Sequence, residues 1–263
     1  AVPAGYVYIA PGWVNYGSAT DEDTRRTFLA TVPLHPRHTD GFLIARYEVT
    51  FGDWIAYLES DPDAAPIRAG KFGSEVKLER GATGWQLTLT PNARTYTAHW
   101  GEPIRYAGRT THVEQDWRKM PVLGISALDA AAYAGWLDRS GRLPGARLCS
   151  EIEWERGARG PDGRSTPSGR VLDGDDANVD TTYPRELMGP DEVGSHPGSV
   201  SPYGLHDTAG NSFEWVLGEH GAYVVRGGSY YHDRKTADLA NRNESSPTIH
   251  EPTGGVRMCA SPP

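Results

Sequence analysis

One stretch near the C-terminal end, residues 203–231, constrains the fold more than any other part of the sequence. Two carboxylates, Asp207 and Glu214, stand seven positions apart around the pair Gly210-Asn211, and an apolar segment follows at once. A tight turn at Gly210 can direct main-chain carbonyls toward the point that the two carboxylates face. Calcium takes roughly six to eight oxygen ligands from such mixed sources. The residues therefore predict a cation-binding loop that leads into a core strand.

The same residues allow a simpler interpretation. Asp207 and Asn211 favour turns in any context, and the spacing of an EF-hand loop is absent. An Asx-type turn that stabilises only itself is therefore open as an alternative.

Composition limits the class of protein. A chain of 263 residues with 31 glycines, 20 prolines and 38% hydrophobic residues can bury a substantial core and is rich in turns. The net charge of −8 and the lack of a Lys/Arg run argue against a nucleic-acid partner. No window approaches the roughly 20 apolar residues of a membrane helix. We expect one domain, and since the sequence begins Ala1-Val2-Pro3, we expect it to be part of a longer protein or a processed form.

Local patterns predict few regular elements. Thr50, Ser126 and Ser150 are typical helix N-caps, and the last two have an acidic residue three positions on, as in a capping box. Residues 85–90 and 94–100 alternate in hydrophobicity and predict a β-hairpin. The second helix is expected to bury Leu128, Ala132, Trp136 and Leu137.

Six sequence blocks occur in order along nearly the whole chain. They are ARYEVT (45–50), PVLGIS with DAAAY (121–133), RLCSEIEWE (147–155), YGLHDTAGNSFEW (203–215), VRGGSY (225–230) and GVR (255–257). These blocks resemble the signatures of the formylglycine-generating enzyme, or sulfatase-modifying factor, family. The resemblance implies an α+β, single-domain, C-type-lectin-like fold of formylglycine-generating-enzyme type, poor in regular structure. Residues 62–120 do not resemble the family core and are predicted to be an insertion.

The resemblance also implies one or two bound calcium ions. In the family, calcium is ligated by residues that match Asp207, Gly210, Ser212 and Glu214. Another family site uses an asparagine and the following carbonyl, matched here by Asn178 and Val179. Its remaining ligands fall within residues 183–191, where the match is too loose to name them. From the residues alone, the acidic segment 173–180 is equally well a solvated loop.

The oxidation reaction of the resembled family depends on a pair of cysteines. Formylglycine-generating enzymes oxidise a substrate cysteine with molecular oxygen and a copper ion held by two cysteines, and soft thiolates suit Cu(I). The matching segment here, residues 231–243, contains no cysteine. We therefore expect this copper site to be absent. Cys149 and Cys259 lie elsewhere. The sequence is compatible with a disulfide between them, which would close a loop of about a hundred residues, and equally with two buried free thiols.

Other enzyme classes find little support. The related sulfoxide synthases bind iron largely through histidines of an extra helical domain that this sequence does not contain. The nine histidines show no two-histidine facial pattern along the chain, so a nonheme iron site of the usual kind is not expected. Nucleophile-elbow, P-loop and Rossmann signatures are also absent.

The segment that follows the VRGGSY block is instead suited to binding. Its amphipathic rings and forked donors are residue types enriched at recognition hot spots: Tyr230, Tyr231, His232, Arg234, Arg242 and Asn243. In the resembled family the equivalent face binds the substrate peptide. The alternative is that Arg226 and Arg242 only brace loops through carboxylate pairs.

Two functions follow as predictions. The first is a non-catalytic, calcium-stabilised recognition or sensor module for a peptide, protein or small molecule. Residues 147–164 resemble domains appended to bacterial serine/threonine protein kinases, so we expect a covalently linked kinase domain, in the cytoplasm or outside it. The alternative is an oxygen-dependent oxidoreductase of the same superfamily that acts on a thiol.

Overall fold

The computed structural model of the protein describes residues 2–61, 64 and 75–262. Among these described residues, three α-helices lie among many short strands: α1 (Phe51–Ser60), α2 (Ala127–Arg139) and α3 (Glu151–Arg159). The strands are β1 (Tyr6–Ile9), β2 (Gly12–Tyr16), β3 (His35–Thr39), β4 (Phe42–Ala45), β5 (Val76–Gly81), β6 (Gly84–Leu89), β7 (Tyr96–His99), β8 (Ile104–Arg105), β9 (Glu114–Gln115), β10 (Ala146–Leu148), β11 (Phe213–Leu217), β12 (Tyr223–Arg226), β13 (Asn243–Glu244), β14 (Gly254–Gly255) and β15 (Met258–Ala260).

Two four-stranded sheets form the framework. Their strand orders are β1-β4-β15-β10 and β13-β12-β11-β14, and a three-stranded sheet runs β5-β6-β7. The C-terminal strand β15 pairs with both β4 and β10, so the last residues of the family pattern lie beside the first. Long-range pairing of this kind brings sequence blocks from both ends of the chain to one place.

Each helix begins where its capping residues predict. Thr50, Ser126 and Ser150 all form complete capping boxes with the acidic residue three positions later. These side chains satisfy main-chain N–H groups that would otherwise lack partners at the helix start. None of the described helices combines the length and the hydrophobicity needed to cross a membrane.

The predicted buried face of α2 is wrong at two positions. Leu128 is 48% exposed, and Ala132 is also exposed, whereas Trp136 and Leu137 are buried. The helix instead buries Ala127, Ala130 and Ala134 and adds Tyr133, whose ring stacks on Trp54 with centroids 5.3 Å apart. The buried alanines let α2 pack closely against its neighbours. This close packing sets the rotation of α2 about its axis and leaves Leu128 outside the core.

The hairpin predicted at residues 85–100 is confirmed. Strand β6 pairs with β7, with Leu87 opposite Ala98, and the inward side chains of β5, β6 and β7 join the main hydrophobic core. The predicted insertion spans residues 62–120, of which 62–63 and 65–74 lie outside the described residues. The remainder, from residue 75 onward, is part of the core and also supplies residues to the sites below.

The two cysteines are joined. Cys149 follows β10 and Cys259 lies in β15, and their sulfurs form a disulfide of 2.05 Å. Both residues are fully buried. The bond connects the start of α3 to the sheet that holds the C-terminal block.

Candidate functional site

The signature block at 203–215 positions two buried carboxylates around an arginine. Glu214 lies in β11 and accepts hydrogen bonds from Arg257 at 2.7 and 3.0 Å and from the indole of Trp154 at 2.6 Å. Asp207 precedes the strand and is also buried; it accepts from the main-chain N–H of Gly194 at 2.5 Å. Arg257 thus supplies positive charge at a place where the sequence alone predicted only calcium.

A third carboxylate, Glu48, completes this group and was not singled out from the sequence. Its Oε1 accepts from the amide and the hydroxyl of Ser212 at 3.1 and 2.7 Å. Burial, reinforced by the charges of Asp207 and Glu214, raises the pKa of Glu48 well above its usual range. Burial likewise raises the pKa of Asp207. We call Glu48, Asp207, Glu214 and Arg257 the Arg257 cluster.

The charge balance of the Arg257 cluster is compatible with a bound cation. One guanidinium faces three buried carboxylates, so full ionisation leaves uncompensated negative charge, which is costly away from water. The fit at Glu214 itself is poorer, since both of its oxygens already accept hydrogen bonds from Arg257. Asp207, which accepts hydrogen bonds from Gly194 and Ser199 and none from Arg257 among the described contacts, is the better candidate for a calcium ligand.

Gly210 brings the two predicted calcium sets together. Its φ is +84°, and a Cβ at this position would lie 2.3 Å from the carbonyl oxygen of Asn178. Only glycine allows this approach of the two loops. The main-chain N–H of Asn211 then donates to the main-chain carbonyl of Asn178 at 2.8 Å.

The side chain of Asn178 is only partly hydrogen-bonded. Its Nδ2 donates to Gly189 and Asn211, at 3.0 and 3.2 Å, whereas its Oδ1 is buried and has no hydrogen-bond partner among the residues that the structure describes. The Oδ1 of Asp180 is in the same state. Because an unsatisfied buried oxygen is expensive and hard cations prefer oxygen ligands, this region fits calcium. The carbonyl of Val179 accepts from Thr182 at 3.0 Å and retains a second lone pair.

Half of the predicted binding residues line one cavity. Tyr230, Tyr231 and His232 border a cavity of about 330 Å³. The ring of Tyr231 is 45% exposed, whereas Tyr230 is buried. His232 packs edge-on against Phe213 with ring centroids 4.7 Å apart, so its ring orientation is fixed. The other lining residues are Glu75, Pro91, Glu251, Pro252 and Thr253.

The other three predicted residues lie elsewhere. Arg234 pairs with Asp173 at 3.3 Å, and Asn243 lies in the edge strand β13. Arg242 donates to Glu151 at 2.7 Å, on the side of α3 that also receives Arg226. Arg226 and Arg242 therefore brace loops through a carboxylate, as the alternative interpretation predicted. Burial alone would raise the pKa of Glu151, but the charges and hydrogen bonds of these two arginines outweigh burial, and the pKa is lowered.

Comparison with known proteins assigns the chain to a family. A family model described as the sulfatase-modifying factor enzyme 1-like domain (FGE-sulfatase) matches residues 2–262. Serine/threonine-protein kinase Pkn1 of Chlamydia trachomatis is 32% identical over 178 residues, which cover 59% of this chain and 26% of the kinase. Hercynine oxygenase of Mycobacterium tuberculosis is 29% identical over 186 residues, which cover 70% of this chain and 39% of the oxygenase.

The fold agrees with this assignment. The structure of PvdO from Pseudomonas aeruginosa superposes with a TM-score of 0.67 at 21% identity, and the match covers 98% of this chain and 94% of that one. The chain spans well under half the length of Pkn1 and of the hercynine oxygenase. Its fold is confirmed as an α+β single domain of formylglycine-generating-enzyme type, and the chain belongs to the sulfatase-modifying factor enzyme 1-like domain family.

Proposed function

We propose that this chain is a non-catalytic recognition domain, stabilised by calcium, that binds a positively charged group in the cavity beside Tyr231. Its similarity to Pkn1 supports a place within a larger bacterial protein that carries a kinase domain. The buried disulfide supports an oxidising, extracytoplasmic position for the domain, since disulfides persist mainly in such compartments.

The composition of the cavity is the observation that carries the proposal. Two carboxylates, Glu75 and Glu251, flank the rings of Tyr230 and Tyr231. Burial lowers the pKa of His232, so a positive charge on its ring is disfavoured. An acidic, aromatic cavity favours an ammonium or guanidinium group, which gains both ion pairing and cation–π attraction. Lysine or arginine side chains and peptide amino termini have this chemistry.

The enzyme alternative has separate support. The similarity to a hercynine oxygenase favours an oxygen-dependent oxidoreductase that acts on a thiol. Against it, residues 231–243 contain no cysteine, and Cys149 and Cys259 are bonded to each other. Oxygen uptake by the purified protein with small thiols and a cysteine peptide, in copper and in iron separately, tests this alternative. Sustained turnover would replace the proposal.

Replacing the exposed cavity tyrosine should weaken recognition. We expect Tyr231→Ala to weaken binding of lysine- and arginine-containing peptides at least tenfold, about 1.4 kcal/mol, because the ring supplies the exposed aromatic wall. Calorimetry with these peptides and with glutamate counterparts measures the effect. Tyr8→Ala is the matched control, since Tyr8 is 44% exposed and does not line the cavity. Equal affinity for cationic and acidic peptides, or equal losses in both variants, would contradict the proposed site.

Calcium should raise the melting temperature through Asp207. We expect Asp207→Asn to remove much of the stabilisation that calcium gives the wild type and to cause little loss in chelator. Without calcium, the Asp207→Asn substitution removes one negative charge from a cluster where three buried carboxylates share one arginine, so repulsion falls. With calcium, the same substitution removes a calcium ligand, so the stabilisation that calcium binding gives also falls. Thermal unfolding in calcium and in EGTA compares the two. A calcium-independent melting temperature in the wild type would rule out calcium stabilisation.

Glu214→Gln is less selective for calcium. Its side chain is the main partner of Arg257, so this substitution is expected to destabilise the protein in both conditions.

A further inference from the structure

Three side chains that lie far apart in sequence meet at one point of the surface. Nε2 of His112 lies 3.0 Å from Oδ2 of Asp175, and Nδ1 of His196 lies 3.1 Å from Oδ1 of the same carboxylate. The three ligand atoms are all within 4.8 Å of one another. Along the sequence the histidines show no two-histidine facial pattern, and it is the fold that brings these two imidazoles to one carboxylate.

The outer contacts of His196 favour a ligand role. Its Nε2 lies 2.9 Å from Oδ2 of Asp191, a buried carboxylate that also accepts from Arg109 and Tyr183. Because a carboxylate can only accept here, Nε2 carries a proton. Nδ1 lies 3.1 Å from both the main-chain carbonyl and Oδ1 of Asp175, so a metal ion bound at Nδ1 would replace a proton that this nitrogen shares with them. A carboxylate behind a histidine fixes the tautomer and ring orientation in protein metal sites.

The backbone is built to hold the three groups close. Asp175 lies in the short turn Gly174–Asp176, and His196 immediately precedes the turn Pro197–Ser199. A Cβ on Gly198 would lie 2.3 Å from Cβ of Asp176, so glycine is needed for the two turns to touch. His112 adopts a left-handed conformation with φ of 49°, which few residue types accept at low cost.

We propose that His112, Asp175 and His196 form a binding site for a divalent transition-metal ion of the zinc class. Two imidazoles and one carboxylate are donors that zinc and its neighbours prefer. Zinc bonds of about 2.1 Å in tetrahedral geometry place ligand atoms roughly 3.4 Å apart. The two imidazole nitrogens lie 3.0 and 3.1 Å from different oxygens of Asp175, and all ligand atoms lie within 4.8 Å of one another. Zinc binding therefore requires a rotation of the exposed carboxylate and a closer approach of the two imidazoles.

The geometry leaves one position free for a further ligand. His196 is buried, but the Asp175 side chain is 46% exposed, so solvent reaches the site from the carboxylate side. A site with three protein ligands and an accessible fourth position holds water or an incoming ligand. Imidazole nitrogen is a poor ligand for calcium, which separates this site from the proposed calcium positions.

Zinc titration of the whole chain in saturating calcium tests the proposal. Isothermal calorimetry is expected to show one zinc ion per chain, with affinity at least tenfold weaker in His112→Asn and in Asp175→Asn. Asparagine tolerates the left-handed conformation at residue 112. His220→Asn is the matched control, because His220 is exposed and has a similar φ of 57°; it should bind zinc like the wild type.

Cobalt(II) adds a readout that does not depend on affinity alone. Wild type and His220→Asn should show the intense visible absorption of four-coordinate cobalt, and His112→Asn should not, while metal-free melting temperatures stay alike. Absence of zinc binding in the wild type, or equal weakening in the His112 and His220 variants, would overturn the site. If His112→Asn loses zinc binding but its metal-free melting temperature is also lowered, the Asp175→Asn variant decides. Wild-type zinc affinity in Asp175→Asn would then overturn the proposed site.

Discussion

Arg257→Met is expected to lower the free energy of unfolding by about 3–5 kcal/mol, the usual cost of removing one partner from a buried ion pair. Arg257 is fully buried and donates to Glu214 and to two main-chain carbonyls, of Ala45 and His206. Without it, three buried carboxylates have no arginine to offset them. Chemical denaturation measures the change, read from the midpoint and slope.

The control for this prediction is a surface pair. Arg26 forms an ion pair with Glu22 at 2.9 Å, but the two side chains are 69% and 67% exposed. Arg26→Met should therefore change stability by about 0–1 kcal/mol. Adding Glu214→Gln to Arg257→Met should cost less than the sum of the two single changes, because the second removes a charge that the first leaves unpaired. Strict additivity, or a loss for Arg257→Met no larger than that for Arg26→Met, would refute the role of the Arg257 cluster.

Removing the disulfide by combining Cys149→Ala and Cys259→Ala is expected to cost about 5 kcal/mol in the chain-entropy model. The bond joins residues 110 positions apart, so it restricts a long loop of the unfolded chain. Each single variant should lose nearly as much as the double variant, since either change breaks the same bond. Denaturation under non-reducing conditions compares the three. Losses below about 1 kcal/mol, or single variants that differ widely from the double, would show that the bond does not constrain the unfolded state in this way.

Local sequence was sufficient for the elements that local interactions fix. The helix starts at Thr50, Ser126 and Ser150 were predictable because a capping side chain bonds to main-chain groups three residues away. The hairpin at β6 and β7 was predictable from alternation across a short turn. The buried face of α2 was not, because its rotation depends on the rings that pack against it.

The candidate sites divide in the same way. Family blocks pointed to Asp207, Glu214 and the Tyr231 segment, yet they did not indicate that Glu48 and Arg257 would share one buried cluster. Nor could they indicate that Arg242 faces Glu151 and not the cavity. Glu75, which borders the cavity, comes from the predicted insertion, which has no counterpart in the family blocks.

By itself the sequence determined the family, the helix starts, the lack of a cysteine pair after the VRGGSY block, and the residue types available for binding. Only the tertiary structure decided which charges are neighbours: Arg257 with Glu214, and His112 with Asp175 and His196. The reason is physical. Caps and turns depend on atoms a few residues apart, whereas these contacts join residues 21 to 63 positions apart and exist only after the sheets and the core have formed.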